Sequence, residues 1–233
     1  MQTKDMAQDK LMGIVAGGSG TRMGGQLPKQ FMDLMGRPVL MHTVELMSQV
    51  PSTRIVVVLP TEHQSLWQDL CKQHSFSVPH TVVSGGATRH QSVANGLAAW
   101  DGERLIGVHD GVRPLVSLPT LVRCYAEAEE FGSAIPVMPS IESVRVLDPN
   151  GTNHAVDRST IMMVQTPQVF RANLIIEAFK QPESPLFTDE ASVLEAAGHP
   201  IHLTQGNREN IKLTTPPDMA FAQALMEQKQ PLV

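Results

Sequence analysis

Short apolar runs rich in β-branched residues recur along the chain and alternate with longer segments of helical periodicity. This alternation is typical of β-α units that build a mostly parallel sheet. The pattern predicts strands at residues 12–16, 54–60, 80–84, 105–109 and 133–138. Helices are predicted between them, as in "PVLMHTVELM", where Leu40, Val44 and Met47 share one face. The sequence therefore predicts an α/β fold.

The pattern changes after Met138, where residues 139–168 contain short alternating runs around an Asn-Gly pair. That pair is a turn signal of β-hairpins, so we expect an arm that protrudes from the sheet. Helical periodicity returns in "RANLIIEAFK", "TDEASVLEAAG" and "PPDMAFAQALMEQ". In the second of these, Thr188 is the predicted N-cap and Gly198 the predicted end. Ligands of such sheets bind at the C-terminal ends of strands, so the loops after the first and fourth strands are expected to meet.

Composition narrows the classes of function. The 233 residues suffice for one domain with an appendage, and the two cysteines lie too far apart for a zinc motif. The first ten residues are polar, and no apolar run approaches the roughly 20 residues that span a bilayer. A net charge of −5, with one tyrosine and two tryptophans, argues against nucleic-acid binding. We expect a soluble cytoplasmic protein that holds any anionic ligand through a few local cations.

The glycine-rich loop "AGGSGTRMGGQLPKQ" follows the first predicted strand. It departs from the dinucleotide fingerprint because Met23 holds the position of the third glycine. It departs from Walker A because Gln26 and Leu27 replace the lysine and the hydroxyl residue. Its backbone N–H groups can still cradle phosphates, while Arg22 and Lys29 neutralise charge on a phosphorus under attack. The alternative is a glycine-rich turn with two surface cations.

Two further stretches offer a carboxylate and spare cations. "GVHDGVRP" places Asp110 at the end of a predicted strand, where it can hold a magnesium ion between phosphate oxygens. Asp110 can also pair with Arg113 to shape the turn, and both roles are compatible. "GNRENIKLTTP" offers Arg208 and Lys212, although a lysine in such a segment more often faces solvent.

The stretch "GGATRHQSV" repeats the glycine and cation design at the next strand end, with Arg89 and Ser92 near a helix start. It either lines a base or ribose pocket or forms a tight β-α turn. Neither H-E-x-x-H nor G-x-S-x-G occurs in the sequence, so no motif indicates a zinc hydrolase or a hydrolase with a serine nucleophile. The remaining set of groups suits nucleotidyl transfer, in which positioning and charge neutralisation supply most of the catalysis.

Seven stretches in order and spacing resemble one family: "AGGSGTRMG", "LPKQF", "GGATRHQSV", "HDGVRP", "VDRSTIMMVQTPQVF", "TDEAS" and "GNRENIKLTTPPD". They closely resemble the 2-C-methyl-D-erythritol 4-phosphate cytidylyltransferases of the non-mevalonate isoprenoid pathway. The resemblance implies a single domain over residues 1–233 with a Rossmann-like sheet of the nucleotide-diphospho-sugar transferase type. It also implies a homodimer held by a β-arm at about residues 139–164. The implied reaction is magnesium-dependent transfer of CMP from CTP to methylerythritol 4-phosphate, with release of pyrophosphate.

The resemblance also implies roles for single residues. Three cations would stabilise the five-coordinate α-phosphorus: Arg22, Lys29 and Lys212. Asp110 would hold the magnesium ion. Small residues of two loops would contact the nucleotide: Ala16, Gly17, Gly18, Gly86 and Ser92.

The resemblance implies that the acceptor phosphate is gripped by the arm of a partner subunit. Arg158 in "VDR" matches the family arginine, and Ser143 after Glu142 stands where the family has a threonine after an aspartate. Serine keeps the hydroxyl, so Ser143 takes that role. Val15 replaces a common proline and Ala87 a common aspartate, at positions whose family roles are mainly in the backbone.

Other functions remain as alternatives. A relative acting on another polyol phosphate, such as ribitol 5-phosphate, would share several motifs, but "VDR" and "TDEAS" favour methylerythritol phosphate. A non-catalytic nucleotide sensor or scaffold would be expected to have lost a cation or the carboxylate, and none is missing. An NAD-dependent oxidoreductase is disfavoured by Met23.

Overall fold

The computed structural model describes residues 9–18 and 27–229. In this part of the chain the strands are β1 Lys10–Val15, β2 Asp33–Leu34, β3 Arg37–Pro38, β4 Thr53–Leu59, β5 Thr81–Ser84, β6 Leu105–Asp110, β7 Ser133–Pro139, β8 Val144–Leu147, β9 Asn153–Val156, β10 Met162–Val164, β11 Gln168–Arg171 and β12 Leu203–Gln205. The helices are α1 Val39–Met47, α2 Thr61–Gln73, α3 Arg89–Leu97, α4 Leu118–Phe131, α5 Ala172–Ala178, α6 Glu190–Ala196 and α7 Pro216–Lys229. All five predicted strands are confirmed, with bounds shifted by at most two residues.

The main sheet has the strand order β10-β7-β11-β6-β1-β4-β5, and β12 pairs with β7. Strand β1 runs parallel to β4 and β6, and β5 runs parallel to β4. Strand β11 fills the gap between β6 and β7 and runs antiparallel to both. The predicted mostly parallel α/β fold is therefore confirmed, and among the described strands of the main sheet the antiparallel pairs are those made by β10 and β11.

Apolar side chains of the sheet alternate between two cores, because successive residues of a strand point to opposite faces. Met12 and Ile14 of β1 belong to the core with α1, α2 and α4, whereas Leu11 belongs to the core with α3, α5 and α6. The predicted helix face at Leu40 and Met47 is fully buried in the first core. Helices therefore cover both faces of the sheet and leave its strand ends for binding.

The N-cap of α6 differs from the prediction. Asp189, not Thr188, is the cap, because its carboxylate accepts a hydrogen bond from the Ser192 N–H at 2.9 Å. The Ser192 hydroxyl accepts in return from the Asp189 N–H at 3.2 Å, which completes a capping box. Gly198 follows the helix with a φ of 85°, as expected for a left-handed residue after a helix end.

The predicted hairpin is present as β8 and β9, which form a two-stranded sheet of their own. Gly151 lies in its turn with a φ of 84°. The hairpin is shorter than the predicted segment 139–164, because β10 pairs with β7 in the main sheet. A dimerising arm stays a prediction. Among the helices of the described ranges, none is long and apolar enough to span a membrane.

Candidate active site

A cavity of about 230 Å³ lies at the C-terminal ends of β1, β5 and β6. Val15 and Asp110, the last residues of β1 and β6, are register partners, and the Gly111 N–H donates to the Val15 carbonyl at 2.8 Å. The loops after the first and fourth predicted strands therefore meet as expected. The cavity is lined by Val15, Ala16, Gly17, Gly18, Lys29, Gln30, Gly86, Ala87, Thr88, Arg89, Ser92, Asp110, Val112 and Lys212.

Two contacts fix the first loop against the turn that carries Lys29. The fully buried Gln30 side chain donates from Nε2 to the Ala16 carbonyl at 2.8 Å. A Cβ atom added at Gly18 would lie 3.0 Å from Lys29 Cε, so the lysine packs directly along the loop. Lys29 is thus placed in the cavity, as predicted. Arg22, predicted beside it, lies outside the described residues.

The second loop is a tight turn that only glycine fits. The Gly86 N–H donates to Ser92 Oγ at 3.0 Å, and Ser92 Oγ donates to the Thr88 carbonyl at 2.9 Å. Thr88 caps α3 by accepting from the Gln91 N–H at 3.1 Å. A Cβ atom at Gly86 would lie 2.3 Å from Gln91 Cβ. Ser92 therefore serves the turn from within the cavity wall, while its contact with a nucleotide stays a prediction.

Asp110 lies at the floor of the cavity among three cations. Its Oδ2 atom is 3.1 Å from Arg113 Nε and 3.1 Å from Lys212 Nζ, and its Oδ1 atom is 3.7 Å from Arg89 Nη2. Burial alone would raise the pKa of Asp110, but Lys212, Arg89 and Arg113 outweigh it and hold that pKa well below its usual range. Asp110 is therefore a carboxylate at any physiological pH. The predicted Asp110–Arg113 pair is confirmed.

Glu190 is a site residue that sequence reasoning missed. Arg89 Nη1 lies 2.5 Å from Glu190 Oε1 and Arg89 Nη2 lies 3.0 Å from Oε2, which makes a bidentate pair. The Glu190 side chain is only 1% exposed. Burial alone would lower the pKa of Arg89, but Glu190 and then Asp110 outweigh it and raise that pKa. The "TDEAS" motif pointed to this stretch, but the sequence has no spacing rule that pairs residues 101 positions apart.

Hydrogen bonds hold the backbone of Asp110. Its N–H donates to Thr166 Oγ1 at 3.1 Å, and Thr166 Oγ1 in turn donates to His109 Nδ1 at 3.0 Å. His109 Nε2 donates to the Arg113 carbonyl at 3.0 Å, which fixes the neutral tautomer of the ring. Burial lowers the pKa of His109 to about 4, in agreement with that tautomer. The network keeps Asp110 rigid without adding charge.

A second network positions the loop of Lys212. The buried Asn210 side chain donates to the Thr166 carbonyl at 2.8 Å, and Arg113 Nη1 donates to the Asn210 carbonyl at 2.7 Å. The Gln165 side chain donates to the Asn207 carbonyl at 2.9 Å. Lys212 Nζ lies 3.1 Å from Asp110 Oδ2, so the lysine reaches into the cavity while 39% of its side chain stays exposed to solvent.

The two predicted acceptor-binding residues lie elsewhere. Ser143, just before β8, and Arg158, just after β9, line a separate depression of about 480 Å³ on the hairpin. Arg158 Nη1 donates to the Ile141 carbonyl at 2.7 Å. Within one chain the structure therefore brings together those predicted nucleotide and phosphate groups that it describes, but not the predicted acceptor groups.

Asp110 is the candidate metal ligand. Among residues 9–18 and 27–229 there is no group of three histidine, cysteine or acidic side chains that could hold a metal ion. A single carboxylate beside a phosphate site nevertheless fits magnesium, which commonly binds one or two carboxylates together with phosphates and waters. The site therefore suits an ion that arrives with a triphosphate better than one held by the protein alone.

The sheet, the two glycine loops and the cationic cavity define a nucleotide-binding α/β protein equipped for phosphate chemistry. Residues 11–228 match the family model of IspD, 2-C-methyl-D-erythritol 4-phosphate cytidylyltransferase. The chain belongs to this family. Membership confirms the predicted cytidylyltransferase of isoprenoid biosynthesis over the ribitol phosphate alternative.

Relatives and solved structures agree with this assignment. The 2-C-methyl-D-erythritol 4-phosphate cytidylyltransferase of Bacteroides thetaiotaomicron is 50% identical over 214 residues, which cover 91% of this chain and 97% of the relative. The enzyme of the same name from Porphyromonas gingivalis is 50% identical over 222 residues, which cover 95% of this chain and 99% of the relative. The crystal structure of 4-diphosphocytidyl-2C-methyl-D-erythritol synthase from Anaerococcus prevotii has a TM-score of 0.80 at 26% identity, covering 94% and 96%. That of the Thermus thermophilus cytidylyltransferase has a TM-score of 0.76 at 29% identity, covering 95% and 100%.

Proposed function

We propose that the chain transfers CMP from CTP to 2-C-methyl-D-erythritol 4-phosphate, releasing pyrophosphate and forming 4-diphosphocytidyl-2-C-methyl-D-erythritol. The main support for this proposal is the cavity, which Lys29, Lys212 and the carboxylate of Asp110 line together beside two glycine-rich loops. Such a site can accept a triphosphate through backbone N–H groups and place cations around the reacting phosphorus.

The reaction is an in-line displacement. A phosphate oxygen of the acceptor attacks the α-phosphorus and forms the new P–O bond, while the bond to the bridging oxygen breaks and pyrophosphate leaves with the electron pair. Lys29 and Lys212, with Arg22, neutralise the charge that grows on the α-phosphate oxygens. No covalent intermediate with the protein is needed. Catalysis then depends on position and charge, which the rigid cavity supplies.

We propose Mg²⁺ as the metal cofactor, with Asp110 as its protein ligand. When bound, the ion would act as a Lewis acid that withdraws charge from the triphosphate. Asp110 is held for this role by the Thr166 hydroxyl at its N–H and by cations at its side chain. Its lowered pKa keeps the carboxylate ionised, as a magnesium ligand requires.

We further propose a cytoplasmic homodimer in which the hairpin of one subunit serves the cavity of its partner. Large apolar side chains are exposed on and near the hairpin, including Leu147, which is 78% exposed, and Ile141 and Met163. Burial of such side chains against a second copy would stabilise the pair. Ser143 and Arg158 lie apart from their own cavity, which favours recognition of the acceptor phosphate in the partner's site.

Pyrophosphate release from purified protein tests the reaction. The assay contains CTP and Mg²⁺ with methylerythritol 4-phosphate, with ribitol 5-phosphate, or without an acceptor. We expect at least about a hundredfold preference for the first, equivalent to roughly 2.7 kcal/mol of transition-state discrimination. Equal rates with both acceptors would contradict the proposed specificity, and activity that survives chelation by EDTA would contradict the metal. Sedimentation velocity would test the dimer.

A further inference from the structure

The two carboxylate oxygens of Asp110 have different surroundings. Oδ2 is within 3.1 Å of both Arg113 Nε and Lys212 Nζ. Among the residues that the structure describes, the ionic neighbour of Oδ1 is Arg89, whose Nη2 atom is 3.7 Å away. That distance exceeds a hydrogen bond. In the described part of the chain, Oδ2 of Asp110 thus has two close cations, whereas the cation next to Oδ1 stays beyond hydrogen-bond distance.

Glu190 explains why Arg89 stays at that distance. A guanidinium and a carboxylate inside a partly buried site attract strongly and usually form close hydrogen bonds. Both terminal nitrogens of Arg89 instead contact Glu190, at 2.5 and 3.0 Å. The carboxylates of Glu190 and Asp110 thus compete for one guanidinium, and Arg89 forms its close contacts with Glu190.

The position of Glu190 is rigid enough to hold this geometry. It is the first residue of α6, directly after the Asp189 cap. The Gln168 side chain donates to Asp189 Oδ2 at 2.8 Å and accepts from the Ala191 N–H at 2.8 Å, so β11 fixes both neighbours of Glu190. The carboxylate therefore cannot easily follow Arg89 toward Asp110.

We propose that Glu190 is a positioning residue that holds Arg89 away from Asp110 Oδ1 and so keeps this oxygen available to a divalent cation. The inference rests on the proposed function, in which Asp110 is the metal ligand. Without the Glu190 charge, Arg89 swings onto Oδ1 and competes with the metal ion for the same oxygen. Glu190 thus acts on the metal site through Arg89, without contact with the metal.

The variants follow from this competition. Glu190→Gln keeps the size but removes the charge, and should weaken metal binding about tenfold or more, as expected when a cation occupies the ligand oxygen. Adding Arg89→Met removes the competitor, so the double variant should regain wild-type metal affinity within about threefold. Glu103→Gln is the matched control, because Glu103 is also buried, with 3% of its side chain exposed, and pairs with an arginine, Arg54, at 2.5 Å. Glu103 precedes β6 and so lies at the end of the sheet opposite the cavity. This control variant should leave metal affinity unchanged.

Mn²⁺ is the probe, measured on the full chain with CTP and no acceptor. Water-proton relaxation distinguishes Mn²⁺ on the slowly tumbling protein from Mn²⁺ on free CTP, and circular dichroism checks each fold. The expected result is loss in Glu190→Gln, recovery in the double variant and no change in Glu103→Gln. Wild-type Mn²⁺ affinity in Glu190→Gln, or no recovery of that affinity in the double variant, would overturn this inference. Either result would leave the proposed function standing.

Two further outcomes complete the test. No Mn²⁺ on the wild-type protein would overturn the metal assignment of the proposed function and the inference with it. If Glu190→Gln does not fold, Arg89→Met is compared with Arg89→Met/Glu190→Gln. The inference expects equal Mn²⁺ affinity in that pair, because Glu190 has no competitor left to restrain. A further several-fold loss in the double variant would show that Glu190 acts by another route and overturn the inference.

Discussion

The cavity at the strand ends and the β8–β9 hairpin are built on different principles. Asp110 of the cavity wall and Glu190, the partner of Arg89, are buried and held by ion pairs, and Gln30 of the cavity wall is fully buried. The strands of the hairpin are mostly exposed, and Ser143 and Arg158 flank them on an open depression. The cavity takes its rigidity from the main sheet, whereas β8 and β9 of the hairpin pair with each other and, in the part of the chain that the structure describes, with no strand of the main sheet.

This difference separates two tasks of the proposed reaction. The groups that would bind and activate the nucleotide are complete within the rigid part of one chain, apart from Arg22, which lies outside the described residues. The groups that would grip the acceptor sit on the exposed hairpin. Changes in the cavity should therefore affect turnover, CTP binding and folding stability, while changes in the hairpin should affect acceptor capture.

The largest effect is expected from Lys29→Ala. If the charge of Lys29 acts mainly in the transition state, kcat should fall about 100- to 1,000-fold while the Kd of CTP changes less than about threefold. Steady-state kinetics and a CTP titration give the two numbers. Lys72→Ala, which changes an exposed lysine of α2, is the control. Equal losses in kcat and CTP affinity would assign Lys29 to ground-state binding instead.

The next effect concerns the pH dependence of stability. Burial lowers the pKa of His109 from 6.5 to about 4, so as the pH falls the unfolded chain takes up this proton before the folded one. The contribution of the neutral His109 ring to the free energy of unfolding is therefore fully present above about pH 6.5. It decreases as the pH falls toward about 4, by up to roughly 3 kcal/mol in total. Urea unfolding across this range should show a shallower pH dependence in His109→Gln.

The control for that experiment comes from the hairpin. His154 pairs with Asp148 at 3.2 Å, but its side chain is 58% exposed. His154→Gln should therefore leave the pH dependence unchanged within about 0.5 kcal/mol, as for other exposed ion pairs. If His154→Gln flattened the pH dependence as much as His109→Gln, the pH-sensitive contribution would not belong to the cavity.

Arg158→Ala tests the other side of the comparison. Loss of this cation should raise the Michaelis constant for methylerythritol 4-phosphate about 10- to 30-fold, the size expected for a hydrogen bond to a charged group, and leave CTP binding intact. Lys72→Ala, which changes an exposed lysine of α2 away from this depression, is again the control. An unchanged Michaelis constant for the acceptor would remove Arg158 from acceptor binding. Mixing Arg158→Ala with Lys29→Ala protein should restore part of the activity if the hairpin serves a partner's cavity.

The smallest effect comes from a pair of glycines. A Cβ atom at Gly86 would press on Gln91 at 2.3 Å, so Gly86→Ala should weaken CTP binding about tenfold by shifting the start of α3. Gly151, in the hairpin turn, has nothing within 4 Å of its added Cβ. Gly151→Ala should cost only about 1 kcal/mol in the hairpin through its positive φ, with CTP affinity unchanged. Similar CTP affinities in the two variants would show that Gly86 is not part of the binding wall.

The sequence predicted what depends on local pattern. Alternation located the strands, the Asn-Gly pair located the hairpin, and strand ends located Asp110. The sequence could not predict which distant groups meet. Arg89 and Glu190 are 101 residues apart, and no periodicity links them. The predicted N-cap of α6 was wrong by one residue, because threonine and aspartate are both good N-cap residues and Thr188 and Asp189 are adjacent. The folded geometry selects the Asp189 carboxylate.

The loop that carries Lys212 is not an interchangeable part. Asn210 is bound to the Thr166 carbonyl, and the Asn207 carbonyl is bound to the Gln165 side chain. A chimera that took residues 206–213 from a cytidylyltransferase without an asparagine at position 210 would lose the side-chain contact to the Thr166 carbonyl that supports the lysine it was meant to import. A working graft must keep both the asparagine of this loop and the glutamine at position 165, so the unit of exchange is a pair of side chains that lie far apart in the gene and together in the protein.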